Sequence, residues 1–395
     1  MKRAVQFAVA AAMVVIGAGS ANAQSITDKV RERGYVSCGA SQGVPGLSRP
    51  DDKGVWTGFD VDSCRAVAAA FFGDSQKAQF VPLNAAQRIP AVQTGEVDVL
   101  ARTTTWTYTR DVAVRFVAIN LVDGDAIMLR KSLNVGAAAD LDGLTICLQG
   151  GGSLVENALD LIEQQNQVKV ERVYFDSTIL ARDAYFGGRC DGYMSDGFAI
   201  AGQRAAVAGN PDEHAIFQSG ATTEPLALAI PRGDDRWFDI VRYAFNAMVW
   251  AEDRGITSKN VDEIAASATD GETRKALGVE PGIGEPLKLD DKWIYNVIKQ
   301  VGNYGEVFAR NLGEESPLKA ERRLNALPRD GGIVVFTSKF QLPNSHVLFE
   351  FRRYNGRDFS LTISQTDHFA KPTAQPETGA CRVTFRRSMI DGAAH

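Results

Sequence analysis

Apolar runs of four or five residues alternate with longer amphipathic stretches along the first 120 residues of the chain. The apolar runs predict short buried strands, and the amphipathic stretches predict helices with one apolar face. In chain order these elements are helix 26–33, strand 35–39, helix 64–72, strand 80–83, helix 85–94 and strand 96–100. Such alternation indicates an α/β fold in which a mainly parallel sheet is flanked by helices.

A second alternating set follows the first and is joined to it by two extended segments. Residues 116–122 predict a strand that leaves the first set, and residues 226–230 predict one that returns to it. Between them the pattern predicts strands at 126–129, 144–148, 168–174 and 190–195 and helices at 154–164 and 178–186. Helices are then predicted at 236–251, 260–266, 273–277, 291–301 and 304–311. The sequence therefore predicts two lobes, the second inserted into the first through a two-stranded hinge.

The two ends of the chain differ from this pattern. Lys2 and Arg3 precede an alanine-rich apolar run that ends in A-N-A, which is typical of a cleaved secretory signal peptide. An anchor helix that is never cleaved is the alternative. The tail shows little helical periodicity, and we expect it to lack a packed core of its own. The expected parts are a signal peptide at 1–23, lobe 1 at 24–122, lobe 2 at 123–223, the return to lobe 1 with C-terminal helices at 224–330, and an atypical tail at 331–395.

Composition narrows the possible functions. A chain of 395 residues is longer than one core usually supports, which agrees with two lobes. The net charge of −5 with mixed signs offers no basic face for nucleic acid. No stretch after the signal peptide approaches about 20 uninterrupted apolar residues, so the mature protein is expected to be soluble and exported. Three of the four histidines lie in the tail without the spacing of metal ligands, so no metal or cofactor is expected.

The five cysteines lack the C-x-x-C spacing of zinc or thioredoxin-type sites, and export permits disulfides. We predict that Cys38 pairs with Cys64 and that Cys147 pairs with Cys190, because each pair falls within one predicted lobe. Cys381 would then be left over. Other pairings stay open until the bonds are mapped.

Polar side chains follow two of the predicted strands. The run A-R-T-T-T-W-T-Y-T-R ends at Arg110, whose guanidinium can grip both oxygens of a carboxylate, while Thr103 and Thr105 can donate hydroxyl groups. Asp196 ends the strand 190–195 and can hold an ammonium group through charge-assisted hydrogen bonds. The alternatives are a surface ion pair of Arg110 with its neighbouring aspartate and a turn aspartate that faces water. If both residues face the cleft, they complement a zwitterion.

A glycine-rich loop precedes the helix at 154–164. Its sequence, Q-G-G-G-S, lacks the lysine ending of a phosphate-binding P-loop and does not fit a dinucleotide motif. The N–H groups of Gly152 and Ser153 at the helix start could bind a carboxylate of a small ligand. The alternative is a plain loop in which Ser153 caps the helix. Ser41, in the loop after strand 35–39, is expected at the same edge of its sheet as the threonine run.

These motifs together resemble a known family. The run G-F-D-V-D at 58–62, the threonine run that ends in Arg110, and the run G-R-C-D at 188–191 that leads to Asp196 are similar to the periplasmic amino-acid-binding proteins of ABC transporters. The resemblance covers residues 26–327 and is most specific for the general L-amino-acid-binding proteins, which share the cysteine pattern. It implies two lobes that close over an L-amino acid, and a monomer that delivers this ligand to membrane permease subunits.

The resemblance also implies roles for the site residues. Arg110 would bind the ligand α-carboxylate, helped by Thr105 and by the helix start near Ser153. Asp196 would bind the α-ammonium group, with Thr103 beside it. These assignments give the zwitterion the two opposite charges that the strand ends already indicate.

Further residues are implied to contact the ligand side chain. The resemblance gives this contact to Ser41 and Gln42. Arg102 stands where members of the family often carry a small hydroxyl residue, which is a departure from their pattern. The tail is another departure, since such proteins usually end soon after the region equivalent to residues 325–327.

Two other functions compete with solute capture. A dehydratase of the cyclohexadienyl type on the same fold would need a placed general acid or base. The body of the chain offers only His214, in a predicted loop, and no carboxylate beyond Asp196 that the pattern places in the cleft. A chemosensory module would use the same site and differ only in its partner. The sequence therefore favours capture of L-amino acids without chemistry.

Overall fold

The computed structural model describes residues 24–334 and three tail strands at 346–354, 358–366 and 381–385. The predicted signal peptide lies outside the described residues. The strands are β1 Val36–Ala40, β2 Arg49–Pro50, β3 Trp56–Thr57, β4 Ala78–Pro82, β5 Val99–Leu100, β6 Arg115–Asp123, β7 Asp125–Arg130, β8 Thr145–Gln149, β9 Glu171–Phe175, β10 Gly192–Asp196, β11 His214–Gln218, β12 Glu224–Ile230, β13 His346–Tyr354, β14 Asp358–Thr366 and β15 Cys381–Phe385. The helices are α1 Ile26–Arg33, α2 Phe59–Phe72, α3 Arg88–Thr94, α4 Tyr108–Ala113, α5 Val155–Asn166, α6 Thr178–Phe186, α7 Gly197–Ala206, α8 Asp235–Asp253, α9 Val261–Ser267, α10 Gly271–Ala276, α11 Trp293–Val301 and α12 Tyr304–Asn311.

The first sheet combines strands from the two outer parts of the chain and forms the centre of lobe 1. Its strand order is β4-β1-β5-β12-β6. Strand β1 pairs in parallel with β4 and β5, whereas β12 is antiparallel to both β5 and β6. Four of the five strands therefore run in the same direction, as a mainly parallel sheet requires. A large apolar core that includes Trp237, Trp250 and Trp293 packs helices α2, α8 and α11 together on this sheet.

Helix α2 begins several residues before the predicted start. Its first turn contains Asp60 and Asp62, which are polar in sequence but buried in the structure. Asp62 accepts hydrogen bonds from Arg310 and Asn311 of helix α12, and Asp60 accepts one from the backbone N–H of Thr103. Both acids are thus satisfied by partners far along the chain, which a pattern of apolar positions does not show.

The second sheet forms lobe 2 and is built from the inserted part of the chain. Its strand order is β11-β7-β10-β8-β9, with β8 parallel to β9 and β10 and with β7 antiparallel to β10 and β11. Separate apolar clusters cover its two faces. Disulfides join Cys38 to Cys64 in lobe 1 and Cys147 to Cys190 in lobe 2, the pairs that the sequence analysis expects.

The sequence prediction lacks helices α4 and α7, the lobe strands β2, β3 and β11, and the tail strands β13, β14 and β15. The sequence pattern predicts a loop at His214, but this residue begins strand β11 and is buried, with its Nδ1 atom 2.6 Å from the hydroxyl oxygen of Tyr185. Helix α4 carries Arg110 and is capped by the Thr107 side chain, which accepts a hydrogen bond from the Arg110 N–H. Helix α7 begins directly after Asp196.

The chain crosses between the lobes twice, at adjacent positions. It passes from β6 to β7 through Gly124 and returns through the segment between β11 and β12. Asp125 and Thr222 join the two crossings, since the Asp125 N–H donates to the Thr222 hydroxyl and this hydroxyl donates to the Asp125 carboxylate. Strands β6 and β12 pair up to the crossings, where Asp123 lies opposite Glu224. This arrangement is a two-stranded hinge.

The tail strands form a sheet of their own. They pair antiparallel in the order β13-β14-β15. The strands agree with the absence of helical periodicity in this stretch. The expectation that the tail lacks a packed core of its own concerns side chains that lie outside the described residues. In the described part of the chain, no helix has both the length and the apolar character that a membrane crossing needs.

Candidate ligand-binding site

A cavity of about 30 Å³ lies between the lobes beside the hinge. Its polar wall in lobe 1 consists of Ser41, Arg88, Arg102, Thr103, Thr105 and Glu224. Its polar wall in lobe 2 consists of Gln149, Ser153, Thr178, Tyr193, Ser195 and Asp196. Several of these residues follow the carboxyl ends of parallel strands, where α/β sheets bind their ligands. A cavity of this volume has room for only a few water molecules, so a larger ligand can enter only when the lobes part.

Five of the eight predicted ligand contacts line this cavity, namely Ser41, Thr103, Thr105, Ser153 and Asp196. The other three, Gln42, Gly152 and Arg110, do not belong to its wall. Gln42 follows Ser41 in the loop after β1 and is half-buried. Gly152 and Arg110 lie at the margin of the cavity, where they contact each other.

The glycine loop contacts lobe 1 through a backbone carbonyl group. The Gly152 carbonyl accepts hydrogen bonds from Arg110 Nη2 at 2.8 Å and from Arg88 Nη2 at 3.4 Å. The ligand contact expected of the Gly152 N–H group stays a prediction. Helix α5 begins at Val155, and the Ser153 hydroxyl accepts a hydrogen bond from the Val155 N–H at 3.5 Å. The loop thus joins lobe 2 to two arginines of lobe 1.

Arg110 is a buried cation and not a surface ion pair. The residue is 8% exposed on helix α4. Its Nη1 donates to the Thr105 carbonyl at 3.0 Å, and its Nη2 donates to Gly152. Burial lowers the pKa of Arg110, while the nearby acids Glu224 and Asp196 act in the opposite direction. Both of its described acceptors are neutral carbonyls, so an incoming carboxylate would be a stronger partner for the guanidinium.

Asp196 faces the cavity and not bulk water. It ends strand β10 and precedes α7 without capping that helix through its side chain. Burial raises the pKa of Asp196, whereas Arg88, Arg102, a hydrogen bond with Thr103 and Arg110 lower it. Thr103 has a φ of 35°, and this left-handed backbone conformation is uncommon for a threonine. The strained residue therefore sits beside the carboxylate, as backbone strain often does at functional sites.

Two arginines of the wall were not predicted as ligand contacts. Arg88 is 4% exposed and Arg102 is 7% exposed. Arg88 Nη1 donates to the Thr103 carbonyl at 3.2 Å, and Arg102 Nε donates to the Leu83 carbonyl at 2.9 Å. Burial lowers the pKa of Arg102 to about 10 and also lowers that of Arg88. An arginine in a predicted amphipathic helix normally faces solvent, so the pattern around Arg88 gave no sign of this position.

A cluster of carboxyl groups lies where the hinge meets the cavity. Asp123 lies opposite Glu224 across the hinge strands, and Asp125 lies opposite Asp196 in lobe 2. Burial, followed by the charge of Asp196, raises the pKa of Asp123 and of Glu224 to about 8 each. Burial also raises the pKa of Asp125 to about 6, against hydrogen bonds from Thr222 and Glu224. Glu224 also lines the cavity, although the sequence pattern does not place it in the cleft.

Burial and the nearby charges of Asp196 and Asp125 favour the protonated form of Glu224 near neutral pH. Its Oε2 accepts a hydrogen bond from the Thr105 hydroxyl at 2.9 Å. A hydrogen bond also joins Glu224 to Asp125, and two carboxyl groups can share one only if one of them is protonated.

We expect Glu224→Gln to flatten the dependence of stability on pH. An unfolded glutamate titrates near pH 4.3, so between that pH and about 8 the folded protein holds a proton that the unfolded chain has released. The stability from Glu224 is complete below pH 4.3 and is lost as the pH rises through about 8, at up to about 1.4 kcal/mol per pH unit. From pH 6 to pH 8 the free energy of unfolding should fall by about 2 kcal/mol more in the wild type than in the variant.

Urea unfolding at pH 6, 7 and 8 measures this difference. Glu321→Gln is the matched control, because that side chain is exposed and should leave the slope unchanged. Equal slopes for the wild type and Glu224→Gln would contradict the assignment of the proton to Glu224.

Comparison with known proteins identifies the family. Residues 36–254 match the sequence profile of the bacterial extracellular solute-binding proteins, family 3. The chain is 44% identical over 330 residues to the general L-amino acid-binding periplasmic protein AapJ of Rhizobium johnstonii, a match that covers 82% of this chain and 96% of AapJ. It is 40% identical to the glutamate/glutamine/aspartate/asparagine-binding protein BztA of Rhodobacter capsulatus, over 85% of this chain and 98% of BztA.

A solved structure shows the same architecture. The periplasmic binding protein of an ABC transporter from Brucella ovis, solved with glutathione bound, is 42% identical to this chain. It superposes with a TM-score of 0.75 over 79% of this chain and 98% of its own. The two-lobed fold, the hinge and the cleft between the lobes agree with these matches. The chain belongs to the bacterial extracellular solute-binding proteins of family 3.

Proposed function

We propose that this protein is the periplasmic substrate-binding component of an ABC transporter, which captures L-amino acids and delivers them to the membrane permease. The observation that carries this proposal is the pair of opposite charges at one interlobe cleft, formed by Asp196 of lobe 2, which lines the cavity, and the buried Arg110 of lobe 1. A free amino acid carries the complementary pair of charges. The names of AapJ and BztA, which both state amino-acid binding, support the same ligand class.

The proposed contacts follow from the chemistry of each side chain. Asp196 takes the α-ammonium group, with the Thr103 hydroxyl beside it. Arg110 takes the α-carboxylate by exchanging the Gly152 carbonyl for the ligand, and Thr105 and Ser153 support this contact. The ligand therefore replaces a neutral acceptor of Arg110 with a charged one, which adds the attraction of an ion pair to the hydrogen bond. The ligand side chain extends toward Ser41 and Gln42.

The transport cycle depends on movement about the hinge. We assign residues 24–122 and 224–330 to lobe 1 and residues 123–223 to lobe 2, with a signal peptide at 1–23 that directs export and a separate tail at 331–395. The open form admits the amino acid, and contacts from both lobes then favour the closed form. The closed protein acts as a monomer and presents one joint surface to the permease subunits. A chemosensory partner would read the same surface.

The proposal includes no catalysis, although Glu224 has one property of a catalytic acid. A cavity carboxyl with a pKa of about 8 resembles a general acid, which a dehydratase of the cyclohexadienyl type would need. Both partners of this carboxyl are protein groups, Thr105 and Asp125, and they tie it to the hinge. Glu224 thus has a structural role that requires no substrate. The relatives that cover this chain almost fully are named as binding proteins.

Thermal unfolding against a solute panel tests the proposal. The protein is purified from the periplasm, unfolded and refolded to remove bound ligand, and then melted with each of the 20 common L-amino acids. A ligand at 100 times its Kd adds about 2.7 kcal/mol to the stability of the folded state, which raises Tm by several degrees. We expect such a rise with several L-amino acids. A rise only with sugars, polyamines or simple dicarboxylates, or consumption of a cyclohexadienyl carboxylate, would overturn the proposal.

A further inference from the structure

The cleft contains more positive charge than a zwitterion needs. Three arginines meet there, Arg88 from α3, Arg102 from the end of β5, and Arg110 from α4. Each is at most 8% exposed, and arginine stays protonated in proteins. An amino acid with an uncharged side chain brings one carboxylate and one ammonium group, so it leaves this excess unchanged.

The acids of the cleft offset the excess only in part. Asp196 interacts with all three arginines and is the main counter-charge. Glu224 and Asp60 add less, since burial raises their pKa values to about 8 and about 7. Asp123 and Asp125 face the hinge and interact with Asp196 and Glu224. The site is therefore short of negative charge near neutral pH.

Some N–H groups of Arg88 and Arg102 have no hydrogen-bond acceptor in the described part of the chain. The described acceptors of Arg88 are the carbonyls of Thr103 and Gly152 and the hydroxyl of Thr104, all of them neutral. Its Nε atom is buried without any hydrogen-bond partner. In the described part of the chain, Arg102 donates only through Nε, to a carbonyl, and both residues line the cavity. A buried donor without an acceptor destabilises the folded protein. A bound ligand that supplies an acceptor would remove this cost.

We propose that Arg88 and Arg102 form a second anion site, which selects L-amino acids with a carboxylate side chain over their uncharged amides. This inference rests on the proposed function, because Asp196 and Arg110 must first hold the α-groups. The side chain of L-glutamate or L-aspartate then meets two guanidinium groups whose present acceptors are neutral. L-glutamine and L-asparagine have the same shape but supply only an amide oxygen.

Calorimetric titration of the refolded protein with matched ligands tests the inference. L-glutamate and L-glutamine differ by one charge at nearly constant size, as do L-aspartate and L-asparagine. We expect each acid to bind about tenfold more tightly than its amide at pH 7.5, since hydrogen bonds to charged groups typically contribute about 1 kcal/mol more than neutral ones. Glutamate and glutamine affinities within about threefold of each other would overturn the inference and leave the proposed function standing.

Substitutions of the two arginines test whether they cause the preference for glutamate over glutamine. Arg102→Gln and Arg88→Gln should each bring the glutamate-to-glutamine ratio to within about threefold, whereas Arg102→Lys should keep a preference for glutamate. Arg323→Gln is the control, because Arg323 is exposed. The glutamate-to-glutamine ratio of this variant should equal that of the wild type. An unchanged ratio in both Arg→Gln variants would also overturn the inference. Failure of every L-amino acid to bind would defeat the proposed function and the inference together.

Discussion

Asp196→Asn is expected to weaken binding of every L-amino acid by about 100-fold or more. The substitution keeps the shape of the side chain but removes the charge that holds the α-ammonium group. Removing one partner of a desolvated, hydrogen-bonded charge pair costs about 2–5 kcal/mol, which is a loss of about 30-fold to several thousand-fold and includes the expected value. Titration of the refolded variant against the amino acids that bind the wild type measures it.

The same substitution also affects the arginines around Asp196, so folding must be measured separately. Arg88, Arg102 and Arg110 lose their main counter-charge, and we expect a lower Tm for the variant without ligand. Asp212→Asn is the matched control, because that side chain is 91% exposed and should leave both affinity and Tm unchanged. A folded Asp196→Asn protein that binds amino acids within threefold of the wild type would refute the role of this residue.

Gly202→Ala is expected to hinder closure of the lobes. Gly202 lies in helix α7 of lobe 2, and a Cβ atom there would fall well inside van der Waals contact with the backbone carbonyl oxygen of Pro45 in lobe 1. A backbone atom cannot move aside as a flexible side chain can, but the lobes can separate about the hinge. The closed form alone carries this penalty. We expect affinity for amino acids to fall about tenfold or more, because overpacking costs about 1–3 kcal/mol.

The stability of the variant should change in the opposite direction. Alanine is favoured over glycine inside a helix by about 1 kcal/mol, so the ligand-free protein should melt no lower than the wild type. Small-angle X-ray scattering should show a larger radius of gyration for the variant when ligand is present. Gly209→Ala is the control, since no atom lies within 4 Å of a Cβ atom there. A Gly202→Ala protein with wild-type affinity and the same compaction by ligand would show that closure does not need this close approach.

Helix boundaries could be predicted where local capping fixes them. The predicted bounds of α1, α6 and α12 equal those of the structure, and the side chains of Ser25, Ser177 and Asn303 cap their first turns. Helix α7 was missed because its small residues, including Gly202, blur the apolar periodicity. Helix α4 has only six residues, which is too short for a periodic pattern.

The candidate site was predictable only in part, because some of its residues are placed by strand ends and others by tertiary packing. Thr103, Thr105 and Asp196 follow strand ends, and the ends of parallel strands meet at one edge whatever the details of packing. Arg88 and Glu224 reach the cleft through tertiary packing. Glu224 lies opposite a residue about 100 positions earlier in the chain, and no local pattern records such a pairing.

The central claim is that both α-groups of an amino acid are held between the lobes. Calorimetric titration with the amino acid that gives the largest rise in Tm, with its N-acetyl derivative and with its α-carboxamide tests this claim most directly. Acetylation removes the charge that Asp196 binds, and amidation removes the charge that Arg110 binds. We predict that the parent amino acid binds one per chain and that each derivative binds at least about 100-fold more weakly. Derivatives that bind as tightly as the parent would contradict the claim.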